Sequence, residues 1–295
     1  MPVQRVSPEL DHILDSGQEL EQLSTGHLTA EGPLWYQEGG YLLFSDIRNN
    51  RRMKWSPVEG VSLFLEPTNE ANGLTRDLQG RLIACEHASR RVTRTEPDGS
   101  ITVVASSYKG WRLNRPNDVV VKSDGSIYFT DPGVGVPPEE RQLEYSGVYR
   151  VTPDLGTLTL LVSGFLAPNG LAFSPDESVM YVDDYRMGEL RAFNVTALGT
   201  LEPQPGPMFL EFNSDLPGVP DGMKVDVEGN IYCTGPGGVW ILDPSGKHLG
   251  TILSGSDPTT NCAWGGEDLK TLFVTTRQSL FRIQIKVPGV PLPRN

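Results

Sequence analysis

Short apolar stretches alternate with turn-forming residues along the whole chain, and one pattern returns six times. It reads YLLFSD at 41–46, RLIACE at 81–86, SIYFTD at 126–131, VMYVDD at 179–184, NIYCTG at 230–235 and TLFVTT at 271–276. Each is a β-branched or aromatic run ending on a small or acidic residue, and several follow turn signals such as Gln79-Gly80 and Asp124-Gly125. The run ends lie 40, 45, 53, 51 and 41 residues apart. That spacing fits four-stranded propeller blades better than leucine-rich or ankyrin repeats. A further short strand precedes each run, as at 32–36 and 170–173, and two more follow, as at 52–55 and 61–65. The pattern predicts an all-β, six-bladed β-propeller of four-stranded antiparallel blades over 18–286, with an N-terminal arm (1–17) and a C-terminal tail (287–295). After the sixth run only the strand 280–285 remains. Residues 19–23 are therefore expected to complete the last blade and close the ring.

The phase within the repeat points to chemistry. Counting back 14 or 15 positions from each run end gives Glu31, Asn72, Asn117, Asn169, Asp221 and Asn261. Every repeat thus carries a carboxylate or carboxamide just before its first strand, and the first strand of a propeller blade is the innermost. Equivalent positions in six blades form a ring at one mouth of the central channel. Turn chemistry competes with this reading: Asn-Gly at 72–73 and 169–170 and Asp-Gly at 221–222 are common turn pairs. On that basis Asn72 and Asn261 are read as turn formers. Glu31 resists the explanation, because Glu is a weak turn residue. Two carboxylates near a narrow channel also repel unless a cation or a proton intervenes. Glu31, Asn117, Asn169 and Asp221 offer only oxygens, which suits a hard divalent cation. The loose donor ring favours Ca²⁺, with Mg²⁺, Mn²⁺ or Zn²⁺ as substitutes.

Composition narrows the partners. The 295 residues carry a net charge of −12, which argues against nucleic acid and anionic membranes. No stretch approaches 18 apolar residues and the N-terminus lacks the apolar core of a secretion signal. Cys85, Cys233 and Cys262 are widely spaced and suggest buried free thiols in a reducing compartment. A cytoplasmic monomer or small homo-oligomer is expected.

Several stretches carry a family resemblance. Ala30-Glu31-Gly32-Pro33-Leu34-Trp35, Arg115-Pro116-Asn117-Asp118, Pro168-Asn169-Gly170-Leu171-Ala172-Phe173 and Pro220-Asp221-Gly222-Met223 resemble the regucalcin/gluconolactonase family, in order, over roughly 18–285. Gly235-Pro236-Gly237-Gly238-Val239 is similar to its bacterial gluconolactonases. The resemblance implies a six-bladed propeller that hydrolyses a small-molecule lactone with a bound divalent metal. It implies Glu31, Asn169 and Asp221 as metal ligands, Asn117 as a further ligand or a substrate contact, and Arg115 as a substrate contact. Relatives that cleave organophosphates make a broader lactone, ester or organophosphate hydrolase the alternative, and a non-catalytic binding propeller with a structural ion the rival.

Lactone opening needs a polarised carbonyl, an activated water and a place for the oxyanion. Asp221 is the candidate general base, with a role as ligand alone as its competitor. His87, just past the second run, is a candidate substrate contact or a structural histidine. No Gly-x-Ser-x-Gly elbow supports serine catalysis. Asp131 and Asp184 are read as strand-end caps or as supports of the site. Trp111 and the insertion 134–145 are candidate covers for the channel mouth, the latter equally a solvated loop.

Overall fold

A computed structural model describes residues 2–15, 17–203 and 206–293. Six antiparallel sheets follow one another around a central axis, each counted outward from its innermost strand. Blade one is Ala30–Tyr36, Tyr41–Asp46, Arg51–Ser56 and Gly60–Leu65. Blade two is Ala71–Arg76, Leu82–Glu86, Arg91–Thr95 and Ile101–Ala105, and blade three is Val119–Val121, Ile127–Asp131, Ser146–Val151 and Leu158–Phe165. Blade four begins with Pro168–Phe173 and Val179–Asp184, blade five with Met223–Val225 and Ile231–Gly235, and blade six with Thr259–Gly265 and Thr271–Thr276. All six repeated runs are second strands, as the sequence pattern predicts.

The ring closes as expected, with a small shift in position. Glu21–Thr25, two residues beyond the predicted 19–23, pairs with Ser279–Gln284 as the outer strand of blade six. The predicted arm has a structural use of its own. Val3–Arg5 adds a fifth strand to blade five, and the short helix Leu10–Ile13 buries Leu10 and Ile13 against Leu249 and Ile252. Of the two terminal segments, residues 1, 16, 294 and 295 lie outside the described residues.

The core sits between blades rather than within them. Six hydrophobic clusters occur among the described residues, one at each blade–blade interface. Leu34 and Leu43 of blade one meet Leu74 and Ala84 of blade two, while Phe44 and Trp55 of blade one meet Ala263 and Phe273 of blade six. Alternating side chains along each strand thus feed the two neighbouring interfaces, which explains how a chain only 38% apolar fills a core. Tyr128 and Tyr181 are buried and Trp35 is half-buried against Phe273. The three cysteines are buried free thiols. No helix among the described residues is long and apolar enough to cross a membrane.

Candidate active site

Each innermost strand starts irregularly, and that irregularity aims the ring residues. The ladder between first and second strands slips between Glu31 and Leu34, between Ala71 and Leu74, between Pro168 and Leu171, and between Thr259 and Asn261. In blade three the Asn117 amide and the Asp118 carbonyl both bond to Thr130, a bulge before regular pairing at Val119, and in blade five regular pairing begins at Met223, beyond Asp221. A bulged or unpaired residue is free of the pleat's alternation and can turn its side chain elsewhere. Here five of the six, Glu31, Asn72, Asn117, Asn169 and Asp221, line one cavity of about 220 Å³ at the channel mouth. Asn261 lies beside it and donates to Glu31 Oε2 at 3.1 Å.

The glycines that suggested turns have a different cause. A Cβ on Gly170 would stand 2.4 Å from the Asp221 carbonyl oxygen, and one on Gly73 would stand 2.6 Å from that of Asn117. Neighbouring blades therefore touch backbone to backbone around the axis, and only glycine leaves room. This corrects the reading of Asn72 and Asn261 as turn formers, since both are buried in innermost strands at the site.

Aspartates at the run ends hold the approach to the ring. Asp46 accepts the amides of Leu28 and Thr29 at 3.0 and 3.1 Å. Asp131 accepts those of Asn114 and Arg115 at 2.8 and 2.7 Å, and Asp184 those of Leu166 and Ala167 at 2.7 and 3.1 Å. In each blade these are the amides three and two residues before Glu31, Asn117 or Asn169. The capping role expected of Asp131 and Asp184 thus serves to position a donor in the cavity.

The electrostatics of the ring are strained without a cation. Burial, then repulsion from Asp221 and Asp118, raises the Glu31 carboxyl well above the usual range. Burial and Asp118 push Asp221 up to about 8, against a hydrogen bond from Asn169 and the charge of Arg277. Adjoining them, Asp183 is raised by burial and by Asp221. Asn72 Oδ1 is buried with no hydrogen-bond partner. Two crowded carboxylates and carboxamide oxygens, one of them unused, are the chemistry a hard divalent cation satisfies. No cluster of three His, Cys, Asp or Glu side chains suited to a metal exists among the described residues. The converging set is two carboxylates and three carboxamides, the oxygen chemistry that suits a hard cation. His87 lines the cavity, and its Nε2 lies 3.3 Å from Asn72 Nδ2. Burial, then the charge of Arg115, lowers its pKa far below the usual value, so the ring is neutral.

With this geometry in place, comparison with known proteins is informative. The profile of the SMP-30/Gluconolactonase/LRE-like region matches residues 29–278. The chain belongs to this family. It is 34% identical to the gluconolactonase of Zymomonas mobilis over 97% of this chain and 87% of that protein. It is 26% identical to rabbit (Oryctolagus cuniculus) regucalcin over 83% of this chain and 82% of that protein. Among solved structures, a gluconolactonase from Xanthomonas campestris superposes with a TM-score of 0.86 at 32% identity, covering 97% of this chain and 95% of that one.

Sequence reasoning missed part of this family member's cavity wall. Arg48, Pro132, Tyr185 and Arg277 line it together with His87 and Arg115. Each except Arg115 stands one or two residues past the end of a repeated run, so reading slightly beyond those ends would have found them. Trp111, expected near the mouth, sits on an exposed hairpin and does not line the cavity. Of the insertion 134–145 only Val134 lines it.

Proposed function

We propose that this protein is a metal-dependent hydrolase that opens sugar lactones, with calcium as its divalent cation. Glu31, Asn117, Asn169 and Asp221 hold the ion, and Arg115, Asn117 and His87 contact the substrate. The observation that carries this reading is the meeting of Glu31 and Asp221 with carboxamide oxygens in an open cavity, where burial and mutual repulsion leave both carboxyls short of positive charge. The gluconolactonases among its relatives support the substrate class.

When bound, a divalent cation supplies the charge that polarises a carbonyl and steadies a developing oxyanion. Asp221 takes a proton from the water that adds to the lactone carbonyl carbon. The same proton passes to the ring oxygen as the carbon–oxygen bond breaks, giving the open hydroxy acid. Asn169 donates a hydrogen bond to the Asp221 carboxylate and orients it for this transfer. His87, kept neutral by burial, offers a hydrogen bond without adding charge. Arg115, half-buried with its amide tied to Asp131, holds the substrate against the ring.

The test is acid release from aldonolactones in weak buffer, before and after chelation and again after calcium is returned. Chelator-sensitive turnover that calcium restores is the expected result. No such turnover on lactones, esters or phosphotriesters would sink the reading in favour of a binding propeller.

A further inference from the structure

We propose that the cavity takes a lactone bearing a second, anionic group, a carboxylate or a phosphate, held by Arg48 and Arg277. The inference rests on the lactonase reading and names the class of substrate that site accepts. Arg48 lies in the turn Ile47–Asn49 after the second strand of blade one, and Arg277 in the turn after that of blade six. Those blades adjoin, and both arginines line the same cavity from them.

Neither arginine forms an ion pair or a side-chain hydrogen bond among the described residues. Arg52 and Arg186 share that state but do not line the cavity, while Arg51 pairs with Asp46, Arg76 with Glu38, Arg81 with Asp77 and Arg282 with Glu21. In a chain of net charge −12, unpaired cations gathered in one cavity are out of keeping with the surface. The only formal negative charges on the cavity wall are Glu31 and Asp221, and a divalent cation balances both. Arg48 and Arg277 have no carboxylate partner of their own, while Arg115 has Glu70 at 3.7 Å. Guanidinium is weakly hydrated and its planar fork matches carboxylate and phosphate oxygens. A positively lined cleft also concentrates anionic substrates.

The experiment titrates the calcium-loaded protein with gluconate, glucarate and 6-phosphogluconate by calorimetry, alongside turnover of the corresponding lactones. One or both ligands with a second anionic group should bind at least about tenfold more tightly than gluconate, and the preferred one tells carboxylate from phosphate. That preference should shrink with added salt and disappear in an R48Q/R277Q double variant, whose loss on the charged lactone exceeds its loss on gluconolactone by about tenfold. Should the double variant not fold, the single changes R48K and R277K, which keep charge but lose the fork, must each narrow the preference. Equal binding of all three ligands by the unaltered protein, or a preference that survives both substitutions, overturns the proposal. Tight binding of the charged ligands without turnover of any lactone would reject the reaction and keep the anion site. Turnover of gluconolactone with no charge preference would keep the reaction and reject the anion site.

Discussion

At one end of the channel the innermost strands present Glu31, Asn72, Asn117, Asn169 and Asp221. A few residues further along the same strands, Leu34, Leu74, Val119, Phe173, Val225 and Trp264 line a second cavity. The two are nearly equal in size, about 220 and 210 Å³. The second is apolar and is crossed by Val290, Pro291 and Leu292, which the bridge between Asp226 and Gly289 helps anchor. At the first mouth the strands are bulged or not yet paired, so side chains leave the pleat and converge on the axis. By the second mouth the ladder is regular and side chains return to the interfaces between blades. Cavity size therefore says little about function here; the register of the strand start decides it.

The sharpest way to break the contrast is at the polar end. Asp221→Asn is expected to lower kcat/KM on a sugar lactone by roughly 10³-fold with calcium still bound, measured by proton release and calorimetry together. Unchanged kcat in a calcium-loaded variant would leave Asp221 a ligand only. At the apolar end Trp264 packs edge-on against Tyr232 and donates to the Val225 carbonyl at 3.2 Å. Trp264→Ala should cost about 3–5 kcal/mol of stability in denaturant unfolding while kcat of the folded fraction stays as it was. A tenfold fall in kcat would mean that the two mouths are coupled.

Smaller effects sharpen the comparison. Although burial pushes the Asp46 carboxyl up, His27 at 3.5 Å and bonds from Asn49 and the amides of Thr29 and Leu28 hold it below its ordinary value of 3.8. Its contribution is present above that value and is lost as pH falls further. Asp46→Asn should therefore cost about 1–3 kcal/mol at neutral pH, less in acid, and weaken calcium binding by loosening the approach to Glu31. Glu31 and Asp221 behave in the opposite sense. Their raised carboxyls keep protons in the folded calcium-free protein that the unfolded chain has released, so stability falls as pH rises from about 4 towards 8. Calcium displaces those protons, and the rise in Tm that it produces should grow by a few degrees between pH 5 and pH 8. A calcium effect independent of pH would place the ion elsewhere.

Much of this was legible in the sequence because propeller blades repeat. Six runs fixed the second strands, and counting back from them reached all six ring residues, since every blade has the same job at the same depth. What escaped depended on contacts between repeats. The Gly73 and Gly170 positions look like turn chemistry until the neighbouring blade's carbonyl is seen beside them. The amides that Asp46, Asp131 and Asp184 accept lie 16 to 18 residues back along the chain, and no local pattern names them. Arg48 and Arg277 belong to no motif, and only the closing of blade six against blade one brings them to a common wall.

That closing seam also orders events during synthesis. Glu31 is made early and Asp221 follows 190 residues later, and the seam forms only when Ser279–Gln284 emerges to meet Glu21–Thr25. At ribosomal speeds of about 5–20 residues per second, Glu31 waits roughly 10 to 40 seconds for its partner carboxylate. For that interval the nascent chain has one of the two cavity carboxylates and an unguarded strand edge. Under the proposed function, cation capture would then be a late event, one that tells a finished ring from an open one.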